Sequence, residues 1–149
     1  MKIMKNKGCR RVIDDPETWD SIPGIVRVYI KAYKTFNIAT YKEMAEEILM
    51  EYPMHIVHDN FNQDNGLAGL GEIYLEAYRA FANPLWLKRA GWICNFFMHT
   101  YITNDKEGCY WIGNNSTIST AGFMVGNSGI LHFLINFISQ GRAGYQSII

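Results

Sequence analysis

A repeat with an offset of 45 residues limits what this chain can fold into more than any other feature of its sequence. Residues 21–33 align without a gap on residues 66–78, with apolar and aromatic side chains in the same order. A third, weaker copy begins at Gly126, and its Gly129 follows Gly69 by 60 residues because extra length falls in a loop. Repeats of this length are typical of folds in which copies of one supersecondary unit stack on each other.

The first copy has the pattern of two consecutive helices. Its apolar side chains recur at three- and four-residue steps, which predicts one buried helix face made of Ile25, Val28, Tyr29, Ala32, Tyr33 and Phe36. A second helix is predicted over residues 41–51 and ends before Pro53, which cannot continue it. The inner side of this second helix is expected to carry Met44, Ala45, Ile48 and Leu49.

The second copy repeats this plan. The sequence predicts a helix over residues 67–81, a break before Pro84, and a second helix over residues 85–101. Residues 104–120 are rich in Gly, Asn, Ser and Thr and form a predicted long structured loop. The first helix of each pair is the more apolar and is expected to be the inner one. We predict an all-α fold of helical-hairpin repeats in one domain, 1–149, with repeats at about 18–53, 64–103 and 121–140.

The composition excludes several classes of protein. With 14 Lys+Arg against 14 Asp+Glu, the chain lacks the positive charge that drives binding to nucleic acid. Hydrophobic residues make up 48% of the 149 residues, which suffices for the core of one domain. The three cysteines are odd in number and lack a CxxC spacing, so a reducing cytoplasm is expected rather than a disulfide framework. The most apolar late stretch, residues 130–138, is too short to span a membrane.

Glycines mark the start of the core helices. We call the loop before each core helix, together with the first turn of that helix, its mouth. The Gly-x-x-Gly sequences at residues 66–69 and 126–129 let two backbones approach closely and are expected to leave the first-turn N–H groups accessible. Mouths of stacked hairpins are expected to face a shared centre.

Four short sequence segments, in the order in which they occur along the chain, resemble those of the lanthionine synthetase C-like (LanC-like) cyclases. They are residues 64–71 (DNGLAGLG), 75–78 (LEAY), 84–90 (PLWLKRA) and 122–130 (GFMVGNSGI). The resemblance covers residues 18–137 and corresponds to the last three hairpins of a larger ring. It implies part of an α/α toroid. For the full enzymes it also implies addition of a peptide cysteine thiol to dehydroalanine or dehydrobutyrine, which forms a thioether ring.

The resemblance also implies where the zinc-dependent members hold the metal that activates the thiol. The positions of its three protein ligands, two cysteines and a histidine, are Trp19, Asp64 and Asn65 in this chain. Tryptophan cannot bind zinc and an amide is a poor zinc ligand, so the zinc mechanism cannot be carried over. We therefore expect no cofactor and no metal site.

Five residues near these positions are candidates for function. Asp64 and Asn65 are the candidate catalytic residues, because a carboxylate beside an amide can act as a base or hydrogen-bond a peptide. N-capping of the following helix is the favoured alternative for both, since capping needs no further partner. Trp19, Asp20 and His58 are the candidate substrate-binding residues. Trp19 replaces a ligand and would fill the zinc pocket, whereas capping is also the favoured role of Asp20.

The remaining histidines and cysteines are expected to be structural. The His/acid cluster of the chain consists of His55, His58, Asp59 and Asp64. Its spacing fits no known metal motif, so a polar loop between hairpins is the favoured interpretation. His132 is expected to be a hydrogen-bonded histidine of the core. Cys94 and Cys109 are expected to be packing or loop thiols.

These patterns leave more than one function open. The leading interpretation is a LanC-like protein related to peptide thioether cyclases, without zinc and with doubtful activity as this chain alone. The alternative is a noncatalytic peptide-binding or assembly module, because apolar inner helices of an incomplete ring need a partner. The expected partners are a peptide substrate, a partner protein or a second copy of the chain. A third interpretation is an α/α-barrel enzyme that acts on glycans. Such an enzyme would need two facing carboxylates, and the positions of Asp20 and Asp64 at matching mouths support this only weakly.

Overall fold

A computed structural model describes residues 22–106, 108–113 and 118–146, with side chains from residue 24 to residue 139 of those ranges. The elements within them are α1 (Ile22–Phe36), α2 (Ala39–Glu51), α3 (Leu67–Phe81), α4 (Pro84–Thr100), β1 (Ile102–Asn104), β2 (Gly108–Tyr110) and α5 (Asn127–Gln146). Trp19 and Asp20 lie outside the described residues. The predominantly helical fold is confirmed.

The helices form two layers. Helices α1, α3 and α5 lie side by side in an inner layer, while α2 packs behind α1 and α4 packs behind α3 and against α5. The first helix of each copy is therefore the inner one, as its higher apolar content predicts. The third copy contributes one helix to this layer within the described part of the chain.

Helix α3 occupies the middle of the inner layer. Every residue from Leu67 to Leu75 is buried, because α1, α4 and α5 enclose the helix on three sides. Gly71 allows α5 to approach, since a Cβ atom at this position would collide with the ring of Phe133. The position of this glycine shows which side of α3 faces α5.

An aromatic cluster ties the loops to the helices. The ring of Phe97 in α4 makes edge contacts with Phe61, Trp111 and Phe133, at centroid distances of 5.7, 6.0 and 6.1 Å. The indole N–H of Trp111 also donates to the carbonyl oxygen of Phe97 at 2.9 Å. Trp111 is buried for this reason, although the residues around it in the sequence are mostly polar. The loop expected over residues 104–120 includes most of a small antiparallel ladder of β1 and β2.

The two interhelical turns share one geometry. Asn37 and Ala82, which are 45 residues apart, both adopt a left-handed backbone with φ of 52° and 54°. Their N–H groups donate to the carbonyl oxygens of Tyr33 at 2.8 Å and of Tyr78 at 2.9 Å. The repeat is thus present in backbone conformation as well as in sequence.

A buried arginine joins the two outer helices. The Nη1 atom of Arg89 in α4 donates to the carbonyl oxygens of Leu49 at 2.7 Å and Tyr52 at 3.0 Å, at the end of α2. The last carbonyl groups of a helix have no partner within the helix and carry partial negative charge, which favours a cation there. The guanidinium also lies over the rings of Tyr74 and Trp86.

The predicted buried face of α1 is wrong in part. Ile25, Val28 and Phe36 are exposed, whereas Val26 and Ile30 are buried against the neighbouring helices. The apolar arc of α1 is wider than one interface, and packing against α3 selects the half that contains Val26 and Ile30. On α2, Ala45 and Leu49 are buried as predicted and Ile48 is partly so, but Met44 is exposed.

None of the described helices is both long and apolar enough to cross a membrane.

Candidate functional site

The mouth of α3 is closed by its own loop. The N–H groups of Leu67, Ala68 and Gly69 donate to the carbonyl oxygens of Asn60, Phe61 and Asn62, at 3.0, 3.4 and 3.3 Å. The expectation that these first-turn N–H groups are accessible is wrong, because the preceding loop folds back and uses them.

Glycine is required where this loop crosses the helix. A Cβ atom at Gly66 would lie 2.6 Å from the carbonyl oxygen of Asn60. One at Gly69 would collide with the carbonyl oxygen of Gln63. These contacts explain why the helix begins with Gly-x-x-Gly, because a residue without a Cβ atom leaves space for the backbone of the preceding loop.

The mouth of α5 is built in the same way. A Cβ atom at Gly126 would collide with the carbonyl oxygen of Thr120, and one at Gly129 with that of Phe123. Both colliding residues lie 60 positions after their counterparts in the mouth of α3, the same offset that separates the glycines. The second and third copies therefore share a mouth geometry.

The two mouths meet. The backbone N–H groups of Gln63 and Asp64 both donate to the carbonyl oxygen of Met124, at 3.0 and 3.1 Å. A cavity of about 170 Å³ lies beside this junction, and its polar lining includes Asn60, Asn62, Thr120 and Asn127. The structure thus brings the mouths of these two copies into direct contact.

Asp64 and Asn65 do not cap α3. The N-cap residue is Gly66, and no side chain caps this helix end, because loop carbonyls already take its N–H groups. The Oδ1 atom of Asn65 instead accepts from Nδ2 of Asn60 at 2.7 Å, and its N–H donates to Oδ1 of Asn62 at 3.0 Å. Asp64 is exposed at the edge of the mouth. The favoured capping interpretation is therefore wrong.

His58 belongs to the same asparagine network. Its Nδ1 atom accepts from the N–H of Asn60 at 2.9 Å and lies 3.4 Å from a carboxylate oxygen of Asp59. The structure thus connects His58 to Asn65 through Asn60, while Asp64 joins the mouth through its backbone.

The described residues do not fit a zinc site at the family's ligand positions. The side-chain oxygen of Asn65 is engaged by Asn60, and the neighbouring Asp64 offers one carboxylate. Across residues 22–106, 108–113 and 118–146, no three His, Cys, Asp or Glu side chains come together in a way that could hold a metal ion.

A second polar group lies between the inner helices, and the sequence analysis missed it. An oxygen of the buried Glu72 carboxylate in α3 lies 2.9 Å from Nδ1 of His132 in α5 and accepts from Nδ2 of Asn136 at 2.9 Å. The His132 side chain is 47% exposed, so its predicted place in the core is wrong although it is hydrogen-bonded. A buried carboxylate thus orients an accessible imidazole.

The sequence held a signal for this group. Arg27, Glu72 and His132 occupy one position of the three repeat copies, and Glu76 and Asn136 occupy the position four residues later. Arg27 lies 3.5 Å from Glu76, and Glu72 pairs with Asn136. Each inner helix therefore reaches the next through the same pair of positions, which an alignment of the repeats points to.

The imidazole lies beside the mouth of α5. The ring of Phe123, in the mouth loop, makes an edge contact with His132 at a centroid distance of 5.1 Å. Phe123 directly precedes Met124, whose carbonyl oxygen receives the N–H of Asp64. Phe123 and Met124 thus connect the His132 ring to the joined mouths.

The family model of the lanthionine synthetase C-like proteins matches residues 22–148. The chain belongs to this family. The matched range includes every described helix, so both mouths and the Glu72–His132 pair lie within the LanC-like region. Comparison with curated proteins and with solved structures finds no match.

The thiols of this LanC-like chain are free in the described residues. Cys109 lies exposed in β2, and Cys94 lies partly buried on α4. Burial raises the pKa of the Cys94 thiol, which disfavours its nucleophilic thiolate form.

Proposed function

We propose that this LanC-like chain binds a peptide that carries a cysteine and a dehydrated serine or threonine, and promotes thioether formation without zinc. The observation that supports this is the contact of 2.9 Å between the buried Glu72 carboxylate and Nδ1 of the accessible His132. A carboxylate that bonds one imidazole nitrogen orients the ring and fixes the role of that nitrogen, which leaves the other nitrogen for proton transfer.

The proposed reaction needs one proton carrier. The Nε2 atom of His132 accepts the proton of the cysteine thiol, and the sulfur forms a bond to the β-carbon of the dehydroamino acid. The electron pair of the carbon–carbon double bond moves to the α-carbon, which then takes the proton back from the imidazole. No atom is gained or lost, so the reaction requires no further reactant.

The joined mouths supply the peptide-binding surface in this proposal. Phe123, which contacts the His132 ring, and the following Met124 and Val125 are exposed and offer apolar contacts. Asp64 lies exposed on the other side of the junction, and His58 and Asn65 line the polar network next to it. Trp19 and Asp20 stay candidate substrate-binding residues in this proposal, because their sequence positions match those of Asp64 and Asn65 in the repeat.

Zinc independence is part of the proposal. The family's ligand positions carry Trp19, Asp64 and Asn65, and the amide of Asn65 is already hydrogen-bonded. We place the reaction in the cytoplasm, where cysteines such as Cys94 and Cys109 stay reduced.

The decisive experiment incubates the chain with a synthetic peptide that contains one cysteine and one dehydroalanine, in the presence of a zinc chelator. Cyclisation leaves the mass unchanged, so it is measured as the loss of alkylatable thiol by mass spectrometry. We expect the rate to exceed the spontaneous rate and to fall at least tenfold in His132→Gln, with His99→Gln as the matched control. A rate equal to the spontaneous one would overturn the cyclase proposal.

Binding without turnover is the second candidate function, favoured by the exposed apolar residues of the α5 mouth. Fluorescence anisotropy with the same peptide, labelled, measures it directly. Binding that is weakened by Phe123→Ser, together with a spontaneous rate of cyclisation, would identify a peptide-binding module.

A further inference from the structure

The two outermost helices of the inner layer, α1 and α5, each expose an apolar surface. We call the first the leading flank, made of the exposed Ile25 and Val28 and the partly buried Ala32 on α1. The second is the trailing flank, made of the exposed Leu131, Ile135 and Ile138 on α5. Val28 is 65% exposed and Ile135 is 62% exposed. Exposed apolar surfaces of this kind mark interaction sites.

The repeat shows what the leading flank is built to contact. Its three positions correspond, 45 residues later, to Leu70, Ile73 and Ala77 of α3, all of which are buried. They lie on the side of α3 away from Gly71 and the ring of Phe133, which is the side that packs against α1. The leading flank therefore has the register of a surface that receives a preceding inner helix.

The trailing flank has the complementary register. Its three positions correspond, 60 residues earlier, to Gly71, Leu75 and Tyr78 of α3. Gly71 meets the ring of Phe133, Leu75 is fully buried and Tyr78 is partly buried, so this side of α3 receives the following inner helix, α5. The trailing flank is therefore built to receive one more inner helix.

We propose that copies of this chain associate head to tail, with the trailing flank of one copy packed against the leading flank of the next. The occupant is a second copy because each flank has the register of a surface that α3 buries, and the two registers are those of successive inner helices. The contact repeats the packing of α1 on α3 and of α3 on α5, and so continues the inner layer from one copy to the next. An interface between unlike surfaces closes into a ring when the rotation allows, and two copies make the smallest such ring.

The test uses one variant for each flank. Val28→Asp places a carboxylate in the leading flank and Ile135→Asp in the trailing flank, both at exposed positions where folding does not depend on an apolar side chain. Val57→Asp is the matched control, because Val57 is 64% exposed but lies in the loop between α2 and α3. Far-UV circular dichroism and the melting temperature verify that all variants are folded.

Light scattering after size-exclusion chromatography then gives the mass of each assembly. We expect the unaltered chain and Val57→Asp to form assemblies of at least two chains of 17.1 kDa. Each flank variant alone should lose the closed assembly and give single chains. An equimolar mixture of the two flank variants should form a dimer, because Val28→Asp keeps an intact trailing flank and Ile135→Asp an intact leading flank.

Three results would overturn the proposal. A single chain at all concentrations would mean that other segments cover the flanks. Flank variants that stay single on mixing would mean that the trailing flank of one copy does not pack against the leading flank of another. Loss of the assembly in Val57→Asp as well would mean that association is nonspecific.

Discussion

Glu72 of α3 and His132 of α5 hold the same position of two successive repeats, and their side chains meet at 2.9 Å. Helices α3 and α5 lie so close together that the Glu72 carboxylate reaches both His132, its counterpart in the repeat, and Asn136, which lies four residues further along α5. A carboxylate buried in this way is stabilised because its Oε1 atom contacts both His132 and Asn136. The repeat thus creates a polar group that joins two copies.

Coupling between Glu72 and His132 is measurable in a double-mutant cycle. We expect Glu72→Gln and His132→Gln to show an interaction free energy of about 1 kcal/mol in urea unfolding, a value kept low by the exposure of the imidazole. The control cycle pairs Glu72→Gln with His99→Gln, since His99 is exposed and bonds only the carbonyl oxygen of Asn95 among the described contacts. Equal coupling in both cycles would contradict the contact.

Glycine is required where the loop crosses α3, whereas the described residues show no such crossing at the equivalent place in α1. We expect Gly69→Ala to destabilise the chain by about 2 kcal/mol or more, because its Cβ atom collides with the backbone of Gln63. Gly24→Ala is the matched control: it lies at the same repeat position, and no described atom would come within 4 Å of its Cβ. Alanine favours the helix there by about 0.5 to 1 kcal/mol. Urea unfolding should therefore give changes of opposite sign, and equal signs would refute the mouth geometry.

The left-handed turns predict a stabilising substitution. Ala82 has φ of 54°, which disfavours a residue with a Cβ atom, whereas Asn tolerates this conformation at the equivalent Asn37. Ala82→Gly should raise the free energy of unfolding by about 0.5 to 1 kcal/mol, and Asn37→Ala should lower it by a similar amount. Thermal unfolding of the two variants tests the pair, and a destabilised Ala82→Gly would show that the turn differs.

The chain should lose stability in alkali. Desolvation by burial raises the pKa of Tyr52 above 10, and it also raises that of Tyr74 although Arg89 partly opposes it. The unfolded chain then releases these protons first, so the stabilisation is complete below pH 10 and is lost as the pH rises towards the folded values. The loss approaches about 1.4 kcal/mol per pH unit for each group. Urea unfolding from pH 9 upwards gives the free energy of unfolding as a function of pH. This free energy should fall less steeply with pH in Tyr52→Phe, and an unchanged pH dependence would contradict the burial of this hydroxyl.

Much of the fold and some of the site followed from the sequence. The helix positions, the turn before Pro84 and the inner place of α3 were predictable, because apolar periodicity and proline act through neighbouring residues. The hydrogen bonds of Asp64 and Asn65 were not predictable. They do not cap α3, because the loop before this helix folds back and its carbonyl oxygens take the N–H groups of the first turn. The resemblance to the LanC-like family was visible in short motifs that the sequence carries in order, and the match of the family model to residues 22–148 confirms it.

The sequence by itself determined the repeat, and with it the register that makes Gly66 equivalent to Gly126 and Glu72 to His132. Only the tertiary structure decided which half of the apolar arc of α1 is buried and which of these equivalent residues touch. Periodicity is a property of one helix, whereas burial and contact depend on how a helix is rotated against its neighbours. The exposure of Val28 and the meeting of Glu72 with His132 both follow from that rotation.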